Sequence, residues 1–203
     1  KLSVKAFEDW RKLSFSKRAV VLKNIAKQIR KEKDELVRLA AKEMGKPIQQ
    51  GYYEVEKCAA TLEFYAREGA KFLADEIVKT DASKSYVSFQ PLGTVLAIMP
   101  WNFPYWQVFR AMAPAVMAGN VMILKHASNV SGCALAIEKL ILKAGAPKGL
   151  LQTLLLPSSR VGGLIDDRRV AAVTLTGSTA AGSKVAEAAG RNLKKAVLEL
   201  GGS

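Results

Sequence analysis

The chain has 203 residues, 49% of them apolar, which is enough for one core, or a core with a helical subdomain. No apolar run approaches the roughly 20 residues of a membrane span and no charged-then-apolar leader opens it, so a soluble cytoplasmic protein with no membrane partner is expected. Two cysteines without a CxxC pair, and one histidine, argue against zinc or disulfide frameworks; the formal charge of +13 raises nucleic-acid binding as the remaining compositional question.

Most of the excess charge lies in Lys17 to Lys46, where basic residues alternate with Glu32, Asp34, Glu35 and Glu43 at helical spacing. That is the pattern of a solvated helix face, and no nucleic-acid partner is expected. Val20, Ile25, Ile29, Leu36, Val37 and Leu39 to Ala41 recur near a 3.6 period, Ser16 is a candidate cap, and Gly45 with Pro47 ends this helix. A second amphipathic run from Tyr53 to Ala74 carries Val55, Ala59, Leu62, Phe64, Tyr65 and Phe72, and its Cys58 reads as a small buried side chain. Residues 1–76 are thus expected to form an N-terminal helical layer. Ile77 to Pro91 turns polar around Tyr86, Val87 and Phe89 and reads as a hairpin or crossing strand, giving a strand segment of oligomerisation type over 77–92.

Gly93 to Pro104 reads GTVLAIMPWNFP: a strand apolar on both faces, then a proline-bounded aromatic loop. Further strands are predicted at Val121 to Lys125, Leu150 to Leu156, Val170 to Thr176 and Ala196 to Leu200. Helices fall between them near Tyr105 to Ala118, Ser131 to Ala144, Arg160 to Asp166 and Thr179 to Gly190. This alternation predicts an α/β fold, a doubly wound parallel sheet of Rossmann-like type over 93–203.

Ligands of such sheets bind beyond the carboxyl ends of the strands, which draws attention to the residues standing there. Asn102 follows the first strand, where its side-chain N–H is able to donate to a developing oxyanion. Lys125 ends the second and suits a ribose or phosphate, although a strand-end lysine is also commonly just solvated; His126 reads as a loop histidine. Gly177 to Gly182 spells GSTAAG into a helix, offering close backbone approach and unpaired N–H groups to a phosphate, or merely a strand-to-helix turn. Glu199 closes the last strand as a general base or a solvated carboxylate.

MPWNFP at Met99, LKHAS at Leu124, TLTGSTAAG at Thr174 and LELGG at Leu198, in this order, resemble the aldehyde dehydrogenase superfamily along the whole chain. The MPWNFPYWQVFR, LKHA and LELGGS forms look most like its bacterial succinate-semialdehyde dehydrogenase branch. The resemblance implies that Asn102 stabilises the thiohemiacetal oxyanion and Glu199 activates the deacylating water. It implies a cofactor cleft formed by Pro100, Trp101, Lys125 at the adenosine ribose, Gly177 by the nicotinamide, Ser178 at the pyrophosphate and the Leu200 backbone at the carboxamide. Ser128 stands where NAD-preferring members commonly carry glutamate, so NADP is the expected cofactor, with NAD possible. Arg110 matches an arginine facing the substrate tunnel, where its fork suits a carboxylate, or it pairs with a neighbouring acid. Leu175 replaces a phenylalanine common in the family.

The family's nucleophilic cysteine follows the LELGG glutamate at a distance this sequence does not reach, and neither Cys58 nor Cys133 lies in a matching motif. The expectation is therefore a cofactor-binding half of a longer homodimeric or homotetrameric enzyme, without the catalytic cysteine domain and inactive by itself, with a clipped beginning and Lys84 to Gln90 exposing an unpaired edge. Another aldehyde specificity, or a non-catalytic nucleotide-binding scaffold, is the alternative.

Overall fold

A computed structural model describes residues 1–201; Gly202 and Ser203, the end of the LELGGS motif and of the 93–203 segment, lie outside the described residues. Four helices lead: α1 (Leu2–Trp10), α2 (Phe15–Lys31), α3 (Lys33–Met44) and α4 (Ile48–Phe72). A short antiparallel hairpin, β1 (Glu76–Ile77) with β2 (Tyr86–Val87), follows as expected from the polar segment. Then strands and helices alternate: β3 (Thr94–Met99), α5 (Trp106–Met117), β4 (Val121–His126), α6 (Ser131–Lys143), β5 (Leu151–Thr153), α7 (Val161–Asp166), β6 (Val170–Gly177), α8 (Thr179–Arg191) and β7 (Lys195–Leu200).

The five long-range strands form one parallel sheet in the order β5-β4-β3-β6-β7. The chain winds outward one way from β3 and then the other way from β6, so the strand order reverses between these two neighbours, where open α/β sheets place ligands. Side chains of β3 alternate between two cores. Val95, Ala97 and Met99 join the large core shared with α1 to α6, whereas Leu96 joins Val170, Val173, Leu175, Val185 and Ala188 beneath α7 and α8. Among the described residues no helix is long and apolar enough to cross a membrane.

Several local expectations are corrected. The helix predicted from Lys17 to Lys46 is two helices, broken at Glu32 (φ −101°, ψ 14°), whose carboxylate is taken by Gln28 and Lys143 at 2.6 Å each. Ser14, not Ser16, caps α2 by accepting from the Lys17 amide, while the Ser16 hydroxyl bonds to that of Ser14. Gly45 does end α3, in the left-handed conformation (φ 71°) that glycine adopts without strain. Val20 faces solvent; Arg18 turns inward instead, donating to the Met117 and Arg11 carbonyls. Phe64 and Phe72 are also exposed, packed on each other at 6.0 Å. An unforeseen first helix, α1, inserts Trp10 into the core, where its indole donates to the Val116 carbonyl at 2.9 Å. The strand predicted over Leu150 to Leu156 shortens to three residues, because it runs at the sheet edge towards Pro157.

Candidate functional site

Parallel registry aligns the strand ends: Met99 lies opposite His126, and Gly177 opposite Leu200. The chain leaving β3 crosses the mouth of the sheet as Pro100 to Tyr105 before α5 begins. Four buried groups fix that crossing. Lys46 Nζ donates to the Asn102 carbonyl at 2.9 Å and pairs with Glu54 Oε2 at 2.6 Å. Glu54 Oε1 accepts from the Tyr105 and Trp106 amides at 2.8 and 2.9 Å, which occupies N–H groups otherwise unpaired at a helix start. The Tyr105 hydroxyl donates to the Leu36 carbonyl at 2.7 Å.

His126 is the fourth group, and it is not a loop residue: it belongs to β4 and is buried. Its Nδ1 accepts from the Ala127 amide, so Nε2 carries the proton and donates to the Pro104 carbonyl at 2.8 Å. Burial pushes its pKa below the ordinary imidazole value, against the opposing effect of the Pro104 bond.

Arg110 lies further along α5, on the face turned to β6 and β7. Its Nη2 donates to Thr176 Oγ1 at 3.0 Å, Nη1 meets Glu199 Oε1 at 3.2 Å, and Nε is buried without a partner. Of the two sequence alternatives for Arg110, the structure shows the pairing with an acid, and that acid is the candidate base Glu199. Beyond Gly177, the exposed Ser178 caps α8 by accepting from the Ala181 amide at 3.3 Å. Leu200 packs onto Gly182 so closely that an added Cβ there would stand 2.5 Å from Leu200 Cδ2.

One cavity of about 620 Å³ gathers eight of the sequence candidates, namely Pro100, Trp101, Asn102, Arg110, Gly177, Ser178, Glu199 and Leu200. Lys125 lies in a neighbouring cavity of about 510 Å³ between β4 and α8, with Ser158, Lys184 and Arg191. It is not a solvated strand end. It is 7% exposed, the only hydrogen-bond partner of its side chain among the described residues is Ser158 Oγ at 3.4 Å, and desolvation lowers its pKa. Ser128 lines neither cavity and sits exposed on the turn after β4. Cys58 and Cys133 are both buried in the helical core; burial raises the first thiol strongly and pushes the second up to about 12. Among the described residues no group of acidic, histidine and cysteine side chains could hold a metal ion.

Lys46 and Glu54 escaped the sequence reading. Their partners lie about fifty residues away and neither residue falls in a motif; the one available signal was a glutamate on the otherwise apolar face of α4.

Residues 1–203 match the family model described as "Aldehyde dehydrogenase family". The chain is 51% identical over 202 residues to a protein of Synechocystis sp. named a probable NADP(+) succinate-semialdehyde dehydrogenase, covering 100% of this chain and 44% of that one. It is 44% identical over 202 residues to an NAD(P)+ succinate semialdehyde dehydrogenase of Escherichia coli, again covering 100% and 44%. The crystal structure of succinic semialdehyde dehydrogenase from Streptococcus pyogenes in complex with NADP+ superimposes with a TM-score of 0.94 at 39% identity, covering 98% of this chain and 44% of that one. The chain spans less than half the length of these relatives.

Proposed function

This chain belongs to the aldehyde dehydrogenase family, and from that premise we propose that it carries the cofactor-binding face and oxyanion donor of an enzyme oxidising succinic semialdehyde to the acid. NADP is the cofactor of this reading, with NAD the alternative; when bound, it supplies the hydride acceptor. The residues suit such a group. Lys125 is a buried cation with one long hydrogen bond, Lys184 and Arg191 share its cavity, and α8 presents its capped N-terminus beside the β3/β6 crevice. In this reading Trp101, Pro100, Gly177, Ser178 and the Leu200 backbone form the rest of the cleft, and Ser128, outside both cavities, brings no carboxylate to repel a 2′-phosphate.

The observation that carries the substrate assignment is the position of Arg110, in the same cavity as Asn102 and Glu199. Its guanidinium fork, now engaged by Thr176 and by the half-exposed Glu199, takes the substrate carboxylate in exchange for the Glu199 contact. The Asn102 side-chain amide donates to the oxyanion that develops at the aldehyde carbon. Glu199 accepts the proton of the water that releases the acid. The attacking group is a thiolate, and two buried thiols with raised pKa values do not supply one. The nucleophile of this reading comes from outside the 203 residues, and the chain alone binds dinucleotide without turnover. In this reading the enzyme is a cytoplasmic homodimer or homotetramer with no nucleic-acid or membrane partner, and its segments are 1–76, 77–92 and 93–203.

Arg110→Ala tests the assignment in the complete enzyme, comparing succinic semialdehyde with butanal. Loss of one desolvated charge-assisted contact lowers kcat/KM for the charged aldehyde by roughly 10- to 150-fold, with the neutral one little changed. An unchanged preference between the two would remove the substrate assignment.

A further inference from the structure

We infer that Lys46 and Glu54 are positioning residues: a buried ion pair that sets the place of Asn102. The inference rests on the oxyanion reading of Asn102 given above.

The pair is enclosed as no other is among the described residues. Its side chains are 3% and 1% exposed, whereas every other pair has at least one partner more than a quarter exposed. Removing two charges from water offsets most of their mutual attraction, so a buried pair is weak as a source of stability, and apolar residues would fill the space as well. What apolar residues cannot do is hold polar backbone groups at fixed points. This pair holds three: the Asn102 carbonyl by Lys46, and the Tyr105 and Trp106 amides by Glu54. Lys46 Nζ also stands 3.7 Å from the centre of the Phe103 ring. The whole crossing from Asn102 to Trp106 is therefore pinned to the turn after α3 and to α4, elements that line no part of the cavity holding Asn102. With its carbonyl anchored, the Asn102 backbone is held in place where the residue lines the cavity. A donor for a developing charge needs this pre-set geometry, since tolerances are about half an ångström.

The test combines two readouts. Lys46→Met with Glu54→Met removes both charges and the carboxylate acceptor together, so that neither charge is left unpaired if the single variants fail to fold. In the 203-residue chain, amide exchange at Tyr105 and Trp106 is expected to accelerate at least about tenfold, with β3 and β4 still protected. Unchanged exchange would overturn the inference. In the complete enzyme, the same double variant is expected to lower kcat by about 10- to 100-fold with KM little altered, and to have no further effect when Asn102→Ala is already present. Losses that multiply in the combined variant would show that the pair acts on something other than Asn102. If Asn102→Ala by itself leaves kcat unchanged, the oxyanion reading fails, and the exchange result alone decides whether the pair holds the crossing.

Discussion

Lys125→Met separates a residue kept for a ligand from one kept for the fold. Lys125 is a buried residue whose ammonium has, among the described residues, a single hydrogen bond at 3.4 Å, so the folded state bears a desolvation cost that this bond does not offset. Methionine matches the stem and removes the charge. Unfolding of the variant by heat or urea is therefore expected at the same or a higher midpoint. Binding moves the other way. One charge-assisted hydrogen bond to a nucleotide is worth about 1.5–3 kcal/mol, which is roughly a 10- to 150-fold weaker Kd for NADP+ by fluorescence or calorimetric titration. The sign of the pH effect follows as well. Because the folded pKa is lowered, the native state binds fewer protons than the unfolded chain between that value and the usual lysine range, and stability rises with pH across this window. The variant loses that rise. A folded variant with lower stability and unchanged NADP+ affinity would refute the reasoning, and Lys125 would be a structural residue.

His126 carries a second pH dependence, on the acid side. Its folded pKa is depressed by burial, so its contribution to stability is present above the unfolded value of about 6.5 and is lost as pH falls from there towards the folded pKa. Urea midpoints between pH 7 and 5 are expected to fall in the native chain and to flatten in His126→Gln; parallel slopes would contradict the buried neutral imidazole. Gly182→Ala presses on the flexible end of Leu200 rather than on backbone, and the better helix propensity of alanine offsets the clash. Its stability is expected within about 1 kcal/mol of the native chain, with weaker dinucleotide binding because Leu200 is displaced in the cavity. A loss near 3 kcal/mol would show that Leu200 cannot yield.

Period and punctuation made most of the fold legible. The buried strand β3 is an unbroken apolar run ended by proline, and every later strand and helix of the sheet appears near its expected place. Eight candidates proved to share one cavity because parallel strands end together, which makes position along a strand equivalent to position in space. What stayed hidden depends on contacts far apart in sequence. The break at Glu32 has no glycine or proline to announce it; it coincides with a carboxylate bound by Lys143, more than a hundred residues on. The burial of Lys125 and His126 depends on segments distant in sequence, Ser158 with residues of α7 and α8 beside the first and the Pro100 to Tyr105 crossing beside the second, and a lysine or histidine at a strand end looks the same in sequence whether covered or open. The grip of Lys46 and Glu54 on the Asn102 crossing is the clearest case, since charged residues within a helical pattern are ordinarily solvated.

The central claim is that the crevice at the β3/β6 mouth binds a dinucleotide. Titration of the purified 203-residue chain with NADP+, followed by thermal unfolding with and without saturating ligand, tests it most directly. Saturable binding of one NADP+ per chain is expected, with stabilisation of about 2.7 kcal/mol at a hundredfold excess over Kd. A folded chain whose unfolding temperature does not respond to NADP+ or NAD+ would contradict it.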